Sequence, residues 1–263
     1  MNLTSRGRSS PASPDTDAMR TDPAVGDRES KPGSHRPDTT DGPDHPARSM
    51  IGLFLASYVV LSAVMVGLGL LVTHSLHGVT RWDVSVNRWF VHQRSGALND
   101  ATQIGSHLAE TLTVIAVATV IVIWLSIRKD WRSVGFLVSA ITLEVTVFLT
   151  TTLLVDRQRP PVLKLDTAPP TSSFPSGHTA ASIALYIGVL FIIGRRMRPG
   201  LVRTLLQIVL LAVPVAVGLS RLYRGMHHPT DVIAGVLLGA LCLAVATRIA
   251  TMLRPEPAER IRS

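Results

Sequence analysis

Residues 220–246 read SRLYRGMHHPTDVIAGVLLGALCLAVA, a polar segment that runs directly into an apolar stretch ending near residue 252. An apolar stretch of this length can cross a bilayer, which takes about 20 residues of α-helix. Pro229 suits the first turn of such a helix, so Asp231 falls within that turn and His227 just before it. The segment therefore predicts a membrane helix that begins with titratable side chains.

Five further apolar runs precede this helix, so we predict an all-α, polytopic membrane protein built as a six-transmembrane helix bundle. The composition agrees, with 46% hydrophobic and 17% charged residues. Pro214 interrupts the fifth run, which membrane helices tolerate. The predicted spans cover about 51–73, 108–127, 133–155, 176–194, 201–219 and 230–252.

The first 49 residues differ in composition from the rest of the chain. They hold seven of the 17 prolines and no aromatic residue, so they cannot bury enough apolar surface to offset the entropy cost of ordering. We predict a disordered cytoplasmic tail at 1–49, a membrane domain at 50–253 and a cytoplasmic C-terminal tail at 254–263. The chemical motifs lie in a core at 133–253.

The net charge of +8 does not indicate a nucleic-acid-binding protein. Outside the tail, 19 basic and 10 acidic residues remain, and the basic ones lie mainly in short loops. These loops lack interleaved aromatic residues on which bases could stack. The expected partners are therefore the lipid bilayer and its lipids, and the sequence identifies no protein partner. Cys242 stands alone in an apolar run, which predicts a packing residue.

Basic loops also predict the orientation of the bundle, because cytoplasmic loops of membrane proteins are enriched in lysine and arginine. Such residues cluster between spans two and three, between spans four and five, and after span six. These loops and both tails are then cytoplasmic, whereas the loops 74–107, 156–175 and 220–229 face the extracytoplasmic side. A bacterial plasma membrane fits so small a membrane core.

All the candidate chemical residues fall at this extracytoplasmic end. Ser176 and Gly177 begin the fourth span, and the N-terminus of a helix favours a phosphate group. His178 lies within one turn of that position. Arg159 precedes Pro160 in the loop after the third span, and arginine grips phosphate with two parallel hydrogen bonds. Arg157 is either a second ligand or a contact for lipid headgroups.

The pair His227 and Asp231 has the spacing of a nucleophile and its orienting group. A carboxylate in the first turn of the helix can hold one ring nitrogen of the histidine and leave the other free to react. A metal site formed by His227, His228 and Asp231 is the alternative for these residues. The arginines at the same end favour an anion over a cation.

Two other segments have more than one interpretation. Residues 81–94 predict an amphipathic helix on the membrane surface, with an apolar stripe that includes Trp82 and Trp89. This helix either guides lipids or anchors the protein at the interface. Glu144 lies within the third span, where a carboxyl group indicates either a functional site or a hydrogen bond to a neighbouring helix.

With these motifs in view, the chain resembles the type 2 phosphatidic acid phosphatase (PAP2) superfamily. The family pattern Pro-Ser-Gly-His matches residues 175–178, and Ser-Arg-x5-His-x3-Asp matches residues 220–231. The pattern Lys-x6-Arg-Pro matches at Arg159 and Pro160, but Thr152 stands where the family has lysine. The resemblance implies the helix bundle of the PAP2 and haloperoxidase-like type, and it covers the whole membrane domain.

The resemblance also implies the role of each residue. His227 is the expected nucleophile that forms a phosphohistidine, Asp231 orients it, and His178 is the general acid. The expected phosphate-binding set consists of Arg159, Ser176, Gly177 and Arg221, with Arg157 and Thr152 as further candidates. No cofactor and no metal ion are implied.

The expected function is that of a metal-independent membrane phosphatase that hydrolyses lipid phosphomonoesters or diphosphates from the extracytoplasmic face. Polyprenyl diphosphate, phosphatidic acid and phosphatidylglycerol phosphate are the substrate classes that the resemblance implies. Two alternatives stay open. One is a phosphotransferase that passes the phosphoryl group to an alcohol. The other is a lipid-phosphate-binding or transport protein without turnover, which the threonine at position 152 favours.

Overall fold

The structure is a computed structural model that describes residues 46–168 and 170–253. Within these ranges every regular element is helical. Two short π-helical turns, Leu71–Ser75 and Ile183–Ile187, extend α1 and join α6 to α7. The α-helices are α1 Pro46–Leu70, α2 His77–His92, α3 Gly96–His107, α4 Thr111–Ile127, α5 Trp131–Leu154, α6 Gly177–Ser182, α7 Gly188–Arg196, α8 Leu201–Tyr223 and α9 Pro229–Met252.

Five helical segments are long and apolar enough to cross a membrane. They are Ala47–Ser75, Trp131–Leu154, Gly177–Arg196, Leu201–Tyr223 and Pro229–Met252. Helices α3 and α4 meet this criterion only as a pair, which is bent by 49° and would form a sixth span. The predicted all-α membrane bundle is thus confirmed, with five spans or six.

The predicted second span, 108–127, differs most from the structure. Its apolar part forms α4, which has 17 residues and is shorter than the roughly 20 that a bilayer requires. The preceding polar helix α3 would supply the missing length across the bend if the two helices form one span. Hydropathy alone does not predict this arrangement, because α3 contains several polar side chains.

The predicted N-terminal tail, 1–49, extends four residues too far. Helix α1 begins at Pro46, so residues 46–49 are helical and continue into the first membrane span. The rest of the predicted tail 1–49 and the predicted tail 254–263 lie outside the described residues.

Helices α5 and α9 pack against each other at the centre of the bundle. Leu143 and Val147 of α5 share a buried cluster with Leu238 and Cys242 of α9. Cys242 is a free thiol with no exposed surface, in agreement with its predicted role as a packing residue. Many large apolar side chains on the outer faces of the helices are exposed, as expected for surfaces that contact lipid.

Two glycines allow α9 to approach the first turns of the Gly177–Arg196 span. A Cβ atom built on Gly235 would lie 2.6 Å from the carbonyl oxygen of Ser176. On Gly239 it would lie 2.8 Å from the carbonyl oxygen of Ala180 and 2.6 Å from the Cβ atom of Ile183. Small residues at such contacts are needed because helices in lipid associate by close packing. The pattern Gly-x3-Gly therefore sets the distance between these two spans.

Polar contacts gather at the two ends of the bundle. At one end, Arg196 contacts Asp130 at 2.7 Å, and Arg132 Nε donates to the carbonyl oxygen of Ala250 at 3.0 Å. At the other end, the Tyr223 hydroxyl hydrogen-bonds Asn99 Oδ1 at 2.9 Å. The first end carries the basic loops, and the second carries α2, α3 and the loops that contain the chemical motifs.

We expect Gly239→Ala to destabilise the protein by about 1–3 kcal/mol, because overpacking forces the backbone to shift. Gly67→Ala is the matched control, since a Cβ atom on this glycine meets nothing within 4 Å and alanine restricts the unfolded chain. Thermal unfolding in detergent compares the two variants. A midpoint for Gly239→Ala at or above that of Gly67→Ala would contradict the prediction.

Candidate active site

The three sequence motifs meet at one end of the bundle. The backbone N–H of Ser176 donates to the carbonyl oxygen of Asp231 at 2.9 Å, which joins the start of α6 to the start of α9. Arg159 Nη1 donates to the carbonyl oxygen of Met226 at 2.9 Å, which joins the loop after α5 to the loop before α9. Segments that are separated by up to 70 residues in the sequence therefore form one site.

A cavity of about 850 Å³ extends from this site between α4 and α5. The motif residues that line it at the polar end are Arg159, Pro175, Gly177, His178, Arg221 and His227. Towards the middle of the bundle the walls are mainly apolar, with Thr119, Thr142 and Glu144 as the polar exceptions. These walls come from α4 and α5 and include Val114, Ile115, Ala118, Val122, Ile141, Val145 and Leu149.

His227 is held by a backbone carbonyl rather than directly by the predicted carboxylate. Its Nδ1 atom lies 2.8 Å from the carbonyl oxygen of Ser173 and 3.8 Å from Asp231 Oδ2. Because a carbonyl oxygen only accepts, Nδ1 carries the proton, and Nε2 carries the lone pair. The prediction that Asp231 itself holds the ring nitrogen is thus corrected: Ser173 makes the hydrogen bond, with Asp231 one step further away.

Burial lowers the pKa of His227 below its ordinary value, although the nearby Asp231 carboxylate acts in the opposite direction. The side chain is 6% exposed, and the positive charges of Arg221 and Arg159 also disfavour protonation of the imidazole. His227 is therefore neutral at neutral pH. In that state Nε2 keeps its lone pair, which is the form that a nucleophile needs.

Arg159 and Arg221 each keep one buried donor free of partners. The Nε atoms of both side chains are buried and form no hydrogen bond with any part of the chain that the structure describes. An unsatisfied buried donor costs about 1–3 kcal/mol, so these two N–H groups favour a ligand with acceptor oxygens. Burial also lowers the pKa of Arg159, but an arginine remains charged in proteins.

Asp166, which sequence reasoning missed, fixes the position of Arg221. Asp166 Oδ2 accepts from Arg221 Nη1 at 3.1 Å, and Oδ1 accepts from Arg224 Nη2 at 2.5 Å. Arg221 also donates to the hydroxyl of Ser106 on α3. Burial acts to raise the pKa of Asp166, but the hydrogen bonds and charges of Arg224 and Arg221 outweigh it and lower the pKa. The loop residue thus stays ionised and orients the arginine.

At the start of α6, only part of the predicted phosphate-binding set lines the cavity. Gly177 does so, and a Cβ atom there would lie 2.7 Å from Cε2 of Phe148. Ser176 is fully buried, is not among the residues that line the cavity, and hydrogen-bonds the hydroxyl of Thr179 at 2.9 Å. Its backbone N–H is already bound to Asp231. Ser176 therefore does not face the cavity in which a phosphate would bind. Instead, its backbone joins α6 to α9.

Arg157 is not placed at the cavity either. Its Nη2 atom donates to Asp83 Oδ2 at 2.7 Å, and its Nη1 atom donates to Thr230 Oγ1 at 2.7 Å and to Asp231. The residue is 5% exposed. Two buried carboxylates thus occupy the guanidinium, which corrects both predicted roles of Arg157, as a phosphate ligand and as a contact for lipid headgroups.

Helix α2 supplies polar residues to the site in a way that the sequence did not reveal. Trp82 and Trp89 are exposed at 51% and 57%, in keeping with the predicted amphipathic helix. The buried residues of α2, however, are Asp83 and Asn87. Asn87 Nδ2 donates to the carbonyl oxygen of His227 at 3.0 Å. Their spacing of four residues puts both on one helix face, and this is the one signal that could have indicated them.

Thr152 lines the cavity where the family pattern has lysine. Its hydroxyl donates to the carbonyl oxygen of Leu149 at 3.0 Å. The oxygen is left as an acceptor, and the side chain brings no positive charge. The positive charge available to a phosphate in this cavity therefore comes from Arg159 and Arg221, and Thr152 contributes none.

The alternative metal site at His227, His228 and Asp231 finds no support in the geometry. Over residues 46–168 and 170–253, no three His, Cys, Asp or Glu side chains are grouped as metal ligands. Asp231 has its oxygens directed to Arg157 and to the backbone N–H of His228, the latter at 2.8 Å.

Fold and site together define a multi-pass membrane protein with a buried arginine and histidine cluster at one end of its helix bundle. Residues 132–255 match the model of the PAP2 superfamily. The matched range contains all three motifs, so the predicted resemblance to this superfamily is confirmed.

Two solved structures are similar to the chain. The first transmembrane PAP2 type phosphatidylglycerolphosphate phosphatase from Bacillus subtilis is 23% identical, with a TM-score of 0.62, over 81% of this chain and 98% of that chain. This similarity shows a shared fold. LpxE from Aquifex aeolicus is 23% identical, with a TM-score of 0.48, over 62% and 93%. No curated protein sequence matches the chain.

We expect Arg157→Met to lower the free energy of unfolding by about 3–5 kcal/mol, because it leaves two buried carboxylates without their cation. Arg196→Met is the control, since it breaks the contact with Asp130 near the surface, where such pairs contribute about 0–1 kcal/mol. Thermal and denaturant unfolding of the purified variants measure both effects. Unchanged stability together with weaker binding of inorganic phosphate would instead show that Arg157 is a phosphate ligand.

Proposed function

We propose that the chain is an integral membrane phosphatase that hydrolyses lipid phosphomonoesters or diphosphates through a phosphohistidine at His227. The match of residues 132–255 to the PAP2 superfamily model and the membrane spans support a membrane lipid phosphatase. One observation carries the rest. A neutral buried histidine and two arginines with unpartnered Nε donors line the polar end of a cavity whose other walls are mainly apolar.

The form of the cavity supports a lipid substrate. A phosphate group at the polar end would meet Arg159 and Arg221, and a hydrocarbon chain attached to it would extend between α4 and α5. The mainly apolar wall that α5 contributes runs from Val138 to Thr152, which is about 21 Å at 1.5 Å per residue. Polyprenyl diphosphate, phosphatidic acid and phosphatidylglycerol phosphate all combine a phosphate with a long apolar chain.

In the proposed reaction, Nε2 of His227 attacks phosphorus, and the bond between phosphorus and the leaving oxygen breaks. With the negative charge of the bound phosphate beside it, His178 carries a proton. It donates this proton to the leaving oxygen, which departs as part of an alcohol or a phosphate. Attack makes the imidazole positive, and the Ser173 carbonyl and the Asp231 carboxylate near Nδ1 stabilise this charge. Arg159 and Arg221 stabilise the charge on the non-transferred oxygens.

Water then completes the reaction. His178, neutral after its proton transfer, takes a proton from a water molecule as that water attacks the phosphohistidine. The nitrogen–phosphorus bond breaks, free phosphate leaves, and His227 returns to its neutral form. No step in this sequence requires a metal ion or a cofactor.

We expect His227→Ala to reduce phosphate release about a thousandfold or more, because the covalent route is lost. The exposed His92→Ala variant is the control. Phosphate release by the purified protein from phosphatidic acid, phosphatidylglycerol phosphate and farnesyl diphosphate measures the effect. Labelled substrate should also leave acid-labile phosphate on the wild-type protein and none on His227→Ala.

Three outcomes would change this assignment. Full turnover by His227→Ala would exclude the proposed nucleophile. A wild-type protein that binds lipid phosphates but releases no phosphate from any of them would favour the binding or transport alternative. Phosphate that appears on an added alcohol instead of in water would indicate the phosphotransferase.

We also propose that both termini are cytoplasmic and the site extracytoplasmic, on the basis of the basic loops at the opposite end of the bundle. Because the one cysteine is fully buried, introduced cysteines can report the topology. An impermeant maleimide applied to intact cells should label Lys164→Cys, next to the site, and should label Lys129→Cys only after permeabilisation. The reverse pattern would overturn the orientation.

A further inference from the structure

Glu144 of α5 lines the same cavity as the proposed catalytic residues. It is 2% exposed, and it is the one acidic side chain among the residues that form the cavity walls. No hydrogen bond or ion pair joins it to another residue within the described ranges. The proposed chemistry does not use it. A buried carboxyl group that faces a ligand cavity without a partner is therefore left to be explained.

An isolated ionised carboxylate is very costly in apolar surroundings, so the carboxyl group favours its neutral form. A neutral carboxyl group carries one O–H donor. A buried donor that forms no hydrogen bond destabilises the protein. Ile141, Thr142 and Val145 are its neighbours on the cavity surface, and no hydrogen bond joins Glu144 to the threonine. An acceptor for this donor can therefore come from the molecule that enters the cavity.

The position of Glu144 limits where that acceptor lies on the ligand. The ring of Phe148 packs beside Gly177 at the start of α6, which marks the level of the proposed phosphate group. Glu144 is four residues from Phe148, or about 6 Å along the helix axis. An acceptor that bonds to Glu144 would thus be about one helical turn from phosphorus, towards the middle of the membrane.

Ester-linked glycerolipids have an acceptor at this distance. In a diacylglycerol monophosphate, five bonds separate phosphorus from the carbonyl carbon of the nearer ester, about 6 Å at roughly 1.2 Å per bond in an extended chain. A polyprenyl phosphate or diphosphate has only hydrocarbon beyond its phosphate oxygens. The two substrate classes therefore differ at the level of Glu144.

We propose that Glu144 donates a hydrogen bond to an ester carbonyl of the substrate and thereby selects ester-linked glycerolipid monophosphates over prenyl phosphates. This role rests on the proposed phosphatase function and adds a specificity-determining residue to it. Glu144 acts on the substrate's backbone and takes no part in the transfer of the phosphoryl group.

The test compares kcat/KM for three substrates of the purified protein: short-chain diacyl phosphatidic acid, its diether analogue without ester carbonyls, and farnesyl diphosphate. We expect the wild-type protein to prefer the diester over the diether about three- to tenfold, the range for one neutral hydrogen bond. Glu144→Gln should keep this preference, because its amide also donates. Glu144→Leu should reduce the ratio to about one and leave farnesyl diphosphate turnover unchanged.

Thr146→Val serves as the matched control. This variant also removes a polar group from α5, but the hydroxyl of Thr146 bonds to the helix backbone and does not line the cavity, so the diester preference should persist.

An equal loss on all three substrates with Glu144→Leu would overturn the inference, as would a wild-type protein without ester preference. Turnover of farnesyl diphosphate alone would overturn it but leave the phosphatase function intact. Only the absence of phosphate release from every substrate would refute that function as well.

Discussion

The site depends on one guanidinium that bridges two buried carboxylates. Arg157 binds Asp83 of α2 and Asp231 of α9, and neither carboxylate has exposed surface. Without the cation, two negative charges would be desolvated close together, which is among the most costly arrangements in a protein interior. With it, helix α2, the loop after α5 and helix α9 are fixed to one another. Asp231 thereby stays ionised beside Nδ1 of His227, where positive charge develops in the proposed reaction.

The cavity joins two environments that a lipid phosphate also combines. At its polar end, Arg221 and His227 are buried and Arg159 and His178 are half-buried, so charge interactions there are stronger than in water. Further in, apolar residues of α4 and α5 offer a surface similar to the bilayer itself. Asp166 and Ser106 hold Arg221 from outside the cavity, so the donors are in place before a ligand binds. Such preorganisation is the main source of electrostatic stabilisation in enzymes.

How far the sequence could predict the site differs from residue to residue. The cavity is lined, as the motifs indicate, by His178, His227, Arg159 and Arg221. Each motif lies at the end of a span, and the orientation of the spans brings these ends to the same side of the bundle. Arg157 has the same residue type and a neighbouring position, yet it faces the opposite way, towards carboxylates. Its partner Asp83 is about 74 residues distant on a helix whose tryptophans suggested only a membrane anchor. No local pattern distinguishes a phosphate-binding arginine from one that is bound to aspartate.

The sequence by itself determined the class of fold, five of the membrane spans and the end of the bundle at which the motifs lie. Hydrophobic length and motif position are local properties, so they can be read without knowledge of neighbours. Only the tertiary structure decided which groups touch: Ser173 rather than Asp231 at the ring of His227, Asp166 at Arg221, and an unpartnered Glu144 in the cavity wall. Hydrogen bonds depend on fractions of an ångström between segments far apart in the chain, and packing of α5, α6 and α9 sets those distances.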